Sequence, residues 1–165
     1  MRKGRELREQ GPAFPAFRKD DMELTGKDIE WIARGLAAET IRAYMRDGKG
    51  LVTVIRRVGV NPYTGRLPRG VHGSLTYGSN AMAIVGNAPA IVVDENLSAY
   101  GTRYWFAHML AHYLAATERV CGAEPLRPGG RVECGDGSRE NGGVESLADL
   151  FARELCRAVR VGARR

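Results

Sequence analysis

The chain has 165 residues, 44% of them hydrophobic and 27% charged, which is typical of one globular domain and excludes a wholly disordered chain. No apolar run approaches the roughly 20 residues that span a bilayer, so a membrane-spanning protein is not expected. The net charge of +6 is compatible with a polyanionic partner, but charge alone indicates solubility and loose association.

The cysteines and the N-terminal residues indicate the cellular compartment of the protein. The cysteines form an odd number without a C-x-x-C pair, which is more typical of a reducing compartment than of a disulfide framework. The start, MRKGRELREQGPAF, is basic but lacks the apolar stretch of a secretory signal. We therefore expect a cytoplasmic protein that is not associated with a membrane. The cysteines are Cys121, Cys134 and Cys156.

The first part of the chain predicts an arm followed by a helix. Residues 1–24 are basic, contain two prolines and lack apolar periodicity, so they predict a loosely ordered arm. A single domain is expected over residues 25–165. It begins with a helix capped by Thr25, along which apolar residues recur at helical spacing as far as Tyr44.

The middle of the chain predicts a small sheet. Residues 51–58 (LVTVIRRV) are short and rich in β-branched side chains, which predicts a strand. Residues 63–79 are dense in Gly, Pro and Thr, and no strand or helix is predicted for them. The apolar runs 81–85 and 90–93 flank a sharp reversal at 86–89, so a sheet of about three strands is expected.

Two helices separated by a long loop are predicted in the rest of the chain. Residues 104–119 and 144–161 have helical apolar periodicity. Residues 122–143 contain seven glycines and no periodicity, so they predict a mobile loop, and loops of this length often carry function. The expected fold class is α+β, with a small three-stranded sheet packed on helices.

His108 and His112 lie four residues apart on the first of these helices, so their side chains project from the same side. Two imidazoles at this spacing suit one Zn²⁺ ion, and in the motif H-E-x-x-H the Glu acts as general base. Met109 stands at that position here. The alternative is a pair of histidines on an amphipathic helix, one hydrogen-bonded and one half-exposed. The preceding strand and the acid Glu145 in the last helix favour the metal.

The stretches RYWFAHMLAHYL and ESLADLFAREL resemble the ImmA/IrrE family of zinc metallopeptidases. The family pattern is a strand, then approximately rFtlAHElGHyll, then a helix of the form E-x-x-A-N-x-F-A-x-E-L-L. The match in order and spacing extends over roughly residues 25–160, with Ala111 replacing the usual Gly. The resemblance implies a minimal gluzincin-like zinc-peptidase core in which His108, His112 and Glu145 bind zinc. It also implies a helix-turn-helix repressor as the protein on which the chain acts.

Met109 departs from this family pattern at the position of the general base. A thioether cannot accept a proton, and general base catalysis is typically worth about 10² to 10⁴ in rate, so we expect impaired proteolysis. Replacing Met109 with Glu is expected to raise peptidase activity by about 10² or more. The alternative is a catalytically inactive pseudoenzyme that acts by protein interaction.

A basic module associated with nucleic acid is a less favoured alternative. It would use a stripe of arginines on the last helix, although no known nucleic-acid-binding motif accompanies the stripe. The stripe comprises Arg153, Arg157, Arg160 and Arg164.

Further side chains are candidates for supporting roles. Asp149, one turn beyond Glu145, is expected either to orient a ligand or to hydrate the helix surface. Cys121 or Cys134 could replace Glu145 as the third ligand, because thiolates suit zinc.

Aromatic residues next to the first histidine are also candidates. Tyr104 and Trp105 are expected to line a cleft or to close it against water. His72, in the segment GVHGS, is expected to be a surface or turn histidine and not a ligand.

Overall fold

A computed structural model describes residues 24–45, 50–77, 89–137 and 142–162. The elements in chain order are α1 (Gly26–Tyr44), α2 (Leu51–Val58), β1 (Asn61–Gly65), β2 (Val71–Thr76), β3 (Ala90–Asp94), α3 (Ala99–Glu118), β4 (Arg131–Gly135) and α4 (Gly142–Gly162). The α+β class is therefore confirmed. The predicted arm, apart from its last residue, and the strand and reversal predicted over 81–88 lie outside the described residues.

The strands form one mixed sheet in the order β1-β3-β2-β4. β1 pairs with β3 in parallel, whereas β2 pairs antiparallel with β3 on one side and with β4 on the other. The sheet has four strands among the described residues, one more than predicted. Pro62 lies in β1, at an edge of the sheet, where a residue without an N–H donor is tolerated.

The predicted helices α1 and α3 begin at side-chain caps. Asp28 N donates to Thr25 Oγ1 at 3.3 Å and Thr25 N donates to Asp28 Oδ2 at 2.9 Å, a reciprocal capping box. α3 begins before the predicted residue 104, because Ser98 Oγ accepts from Gly101 N at 3.1 Å. The Thr25 cap predicted from the sequence is thus confirmed.

Residues 51–58 form the helix α2, so the strand predicted there is wrong. Leu51, Val54 and Ile55 are buried at helical spacing, and Gly59 ends the helix with a φ of 99°. Burial of this helical face in the core outweighs the preference of β-branched residues for strands.

Two glycine-rich segments for which no strand was expected contain strands. β2 and the last three residues of β1 lie within residues 63–79. Within residues 122–143, the segment Arg131–Gly135 forms β4, so this region is not structureless. Its mobility stays a prediction.

The core lies between the sheet and the helices. α4 packs against both α1 and α3, and α3 also packs against β2 and β3. None of the helices among the described residues combines the length and apolar character needed to cross a membrane. Large side chains that are completely buried in this core include Ile55, Leu75, Ile91, Leu110, Leu147 and Phe151.

Candidate metal centre

Four side chains of metal-ligating type meet in the interior, brought together from three elements. The ligand atoms all lie within 4.8 Å of one another, and each residue is buried. They are His108 and His112 on α3, Cys134 on β4 and Glu145 in the first turn of α4. The structure thus brings together the three ligands that the resemblance implies and adds Cys134 to them.

The separations of these donor atoms are close to those around one tetrahedral ion. His108 Nε2 lies 3.3 Å from His112 Nε2 and 3.2 Å from Glu145 Oε2, and Glu145 Oε1 lies 3.0 Å from His112 Nε2. Cys134 Sγ lies 3.3 Å from His112 Nε2 and 3.3 Å from Glu145 Oε1. Zinc with bonds of about 2.0–2.3 Å separates tetrahedral ligands by about 3.3–3.7 Å. The four donors are therefore grouped compactly enough to hold one such ion.

Local structure explains how each donor reaches the cluster. The two histidines are one helical turn apart on α3, so their rings lie on the same face. Cys134 pairs with Gly73 across the β2–β4 ladder, at a register irregularity between Val71 and Gly73. Glu145 lies in the first turn of α4, where the helix dipole favours a negative charge.

The carboxyl of Glu145 is held in its ionised form. Burial alone would raise its pKa, but hydrogen bonds from His108 and His112 outweigh burial and lower the pKa well below its usual range. Because Glu145 remains a carboxylate, it supplies negative charge to balance a bound cation.

The pKa of the Cys134 thiol is shifted in the opposite direction to that of Glu145. Burial and the neighbouring Glu145 carboxylate raise the pKa of Cys134 far above its usual range. The thiol therefore donates its proton to Glu145 Oε1 in a hydrogen bond. A metal would have to displace that proton, so metal binding and deprotonation of Cys134 are coupled.

Asp149 lies behind His108 and contacts the ring nitrogen that does not face the cluster. Asp149 Oδ1 is 3.1 Å from His108 Nδ1 and accepts a 2.5 Å hydrogen bond from the Tyr104 hydroxyl. The distance between Asp149 Oδ1 and His108 Nδ1 is that of an ion pair, but the two groups are not aligned as a hydrogen bond requires. Burial and the bond to Asp149 raise the pKa of Tyr104, so the phenol keeps the proton that it donates. This placement supports the ligand-orienting role for Asp149 over the surface role.

Aromatic rings cover the first histidine. The Trp105 ring centroid lies 4.8 Å from that of His108, and the Tyr104 centroid lies 6.0 Å away. His108 is only 1% exposed, so these rings close the site against water instead of lining an open cleft. His72 lies in a strand and not in a turn, with Nε2 3.0 Å from Asp136 Oδ1, and it is not part of the cluster.

Met109 is completely buried and packs beneath β2. A Cβ atom placed on Gly73 would come within 2.6 Å of Met109 Cγ, so the thioether chain fills the space directly against the backbone of β2. The position at which the resembled family carries its general base is therefore an apolar packing position in this chain.

The sequence indicates Cys134 only as a substitute for Glu145, whereas the structure places it beside Glu145 as a fourth donor. The sequence does not predict β4, because the segment around Cys134 is rich in glycine. A short alternating pattern was available as a signal, because Arg131 and Glu133 are exposed whereas Val132 and Cys134 face inward. Cys121, the other cysteine considered, is not one of the four.

Comparisons with known proteins give no match: no family profile fits the chain, and no curated protein or solved structure resembles it significantly. The comparison with ImmA/IrrE metallopeptidases therefore rests on the sequence pattern of the two ligand helices.

Proposed function

We propose that the protein binds one zinc ion through His108, His112, Cys134 and Glu145 and is a non-hydrolysing relative of the ImmA/IrrE metallopeptidases. The observation that carries this proposal is the convergence of four buried donor residues from three elements, in which each residue has a donor atom 3.0–3.3 Å from those of at least two others. Burying imidazoles, a thiol and a carboxylate together is costly unless they are paired or bind a metal. Nitrogen and sulfur donors in this number suit zinc.

The number of protein ligands supports binding over hydrolysis. Structural zinc sites have four protein ligands, whereas catalytic sites keep one position open for water or substrate. Zinc contributes Lewis-acid chemistry to a reaction only through such an open position. With Cys134 as the fourth ligand and Met109 in place of the base, the proposed site has neither an open coordination position nor a proton acceptor at the position of the general base. We infer that the ion joins α3, β4 and α4.

The partner we propose is a helix-turn-helix repressor, the class of protein on which the resembled family acts. The protein would bind this repressor and leave its peptide bonds intact. The nucleic-acid alternative has less support, because no known nucleic-acid-binding motif accompanies the arginine stripe.

Metal analysis of the purified protein tests the zinc site. We expect about one zinc per wild-type chain, because the four donors form a single site. His108→Ala should lose the metal, since it removes a central donor. His72→Ala is the matched control, because it removes a histidine outside the cluster, and it should retain zinc. A wild-type protein without zinc, after purification in its presence, would refute the proposal.

Mixing the zinc-loaded protein with purified helix-turn-helix repressors tests the proposed partner. We expect a complex in size-exclusion chromatography and an intact repressor in mass spectrometry. Repressor fragments that disappear with His112→Ala would show that the protein is a peptidase after all. Absence of a complex with the zinc-loaded protein would refute the proposed partner, but it would not bear on the proposed zinc site.

A further inference from the structure

We infer that Tyr104 is a positioning residue of the metal centre, whose hydroxyl holds Asp149 against His108 and fixes the two ligand helices in register. The inference rests on the proposed zinc site, because α3 and α4 carry three of its four donors. Tyr104 is not one of these donors and acts through Asp149.

The first observation is that two polar contacts, one helical turn apart, join α3 to α4. His108 Nε2 lies 3.2 Å from Glu145 Oε2 across the two helices. Tyr104 precedes His108 by four residues, so both side chains lie on one face of α3. Asp149 follows Glu145 by four residues, so these two share a face of α4. The hydrogen bond from Tyr104 to Asp149 therefore fixes the register on which the contact between the two ligands depends.

The second observation is that one oxygen atom of Asp149 serves two neighbours. Oδ1 accepts the hydrogen bond of the Tyr104 hydroxyl at 2.5 Å and also lies 3.1 Å from His108 Nδ1. The side chain of Asp149 is 46% exposed, so without a partner it would be free to turn toward water. A hydrogen bond to a carboxylate is stronger than one between neutral groups. Tyr104 therefore keeps Asp149 where it can orient His108.

The third observation is that the Tyr104 ring is itself held by aromatic neighbours. Its centroid lies 5.5 Å from that of Trp105 in an edge-to-face arrangement and 6.4 Å from that of Tyr100 in a stacked arrangement. Tyr104 is half-buried, and its hydroxyl reaches across to α4. Once the ring is fixed, only the hydroxyl proton can still rotate. Tyr104 is therefore a rigid anchor for Asp149.

Tyr104→Phe isolates the hydroxyl, because phenylalanine retains the ring and its aromatic contacts. We expect zinc affinity in chelator competition to fall about five- to tenfold. This is less than the roughly 10- to 100-fold loss typical of removing a group that contacts a ligand directly, because Tyr104 acts through Asp149. Tyr113→Phe is the matched control and should bind zinc as wild type does. Tyr113 is also half-buried on α3, but it interacts with Tyr44 and Tyr77.

A double-mutant cycle separates positioning from a general loss of stability. Asp149→Ala removes the acceptor at a half-exposed helix position that alanine suits. Adding Tyr104→Phe to this variant should not weaken zinc binding further, because the hydroxyl has no carboxylate left to hold. Losses that multiply would show that the hydroxyl acts independently of Asp149 and would overturn the inference. A merely structural role would lower the melting temperature in the presence of a chelator without this coupling in zinc affinity.

A measurement on the wild-type protein covers the case in which Tyr104→Phe fails to fold. The Tyr104 hydroxyl proton of the zinc-loaded protein should give a separate downfield NMR signal, because a hydrogen-bonded hydroxyl exchanges slowly with water. Asp149→Ala should lose this signal. A hydroxyl that exchanges freely in zinc-loaded wild type, or a Tyr104→Phe variant that binds zinc as wild type does, would overturn the inference and leave the zinc site intact. A wild-type protein that binds no zinc would instead overturn the proposed function.

Discussion

Replacement of Met109 by Glu tests whether this position is a packed core site or a disabled catalytic one. Met109 is fully buried among core side chains and lies against the backbone of β2 at Gly73. Glu is similar in length but ends in a carboxyl group that needs water, a hydrogen-bond donor or a cation. We therefore expect Met109→Glu to destabilise the folded protein.

The magnitude follows from burial. Full burial of a Met side chain is worth about 1.5–3 kcal/mol, part of which the methylene groups of Glu retain. A buried polar group without a partner costs about 1–3 kcal/mol. We expect a loss of about 2–5 kcal/mol, which is large beside a total stability of about 5–15 kcal/mol. For a chain of this size the melting temperature should fall by roughly 10 °C.

The dependence on pH separates loss of packing from burial of charge. Burial raises the pKa of the introduced carboxyl in the folded state, so the folded protein holds its proton to higher pH than the unfolded chain does. Stability relative to Met109→Gln should therefore fall as the pH rises above about 4.3, by at most about 1.4 kcal/mol per pH unit. Urea unfolding of the two variants at mildly acidic and neutral pH measures this difference.

Met109→Leu controls for changes in shape and should cost less than about 1.5 kcal/mol. If Met109→Glu were as stable as wild type at neutral pH and its difference from Met109→Gln did not change with pH, the introduced carboxyl would be solvated or paired. The assignment of Met109 to an apolar packing position would then be wrong.

Four further outcomes follow from the site and the fold. Met109→Glu should give no peptidase activity, contrary to the expectation from sequence, because the side chain at position 109 packs against β2 and Cys134 would occupy the fourth coordination position of the proposed zinc site; repressor cleavage that His112→Ala abolishes would contradict this. Asp149→Asn should weaken zinc binding about 10- to 100-fold in chelator competition, and unchanged affinity would exclude its positioning role. A chelator should lower the wild-type melting temperature by about 5–10 °C, for a loss of about 3 kcal/mol, and should not affect His108→Ala. Thr25→Ala should cost about 1 kcal/mol in urea unfolding, and no change would contradict the cap.

The long helices could be predicted because their apolar residues repeat over several turns. α3 and α4 carry three of the four candidate donors. His108 and His112 could be predicted from their helical spacing, and Glu145 could be predicted from the resemblance to a family pattern. Residues 51–58 were misassigned because an eight-residue run of mostly apolar, β-branched side chains satisfies both a strand and a helix. Burial of Leu51, Val54 and Ile55 decides between them.

The strands were harder to predict because their partners are distant in sequence. β2 contains Gly73 and β4 ends at Gly135, and both glycines interrupt the alternation that marks a strand. Their presence is explained by close contacts with Met109 and with the backbone of Gly70, which appear only in the folded protein. Cys134 reaches the cluster through this pairing, so its role could not be derived from spacing along the chain.

The packing of α1 on α4 has a consequence for the order of events during synthesis. α1 is the first described helix and α4 the last, so the core between them cannot close until residues beyond 142 have left the ribosome. Glu145 also arrives with α4, so the set of metal donors is completed at the same late stage. Such non-local contacts slow folding and leave the nascent chain exposed to aggregation. Zinc binding by the complete set of donors would then become possible only after α4 has been synthesised, at the stage when this core forms.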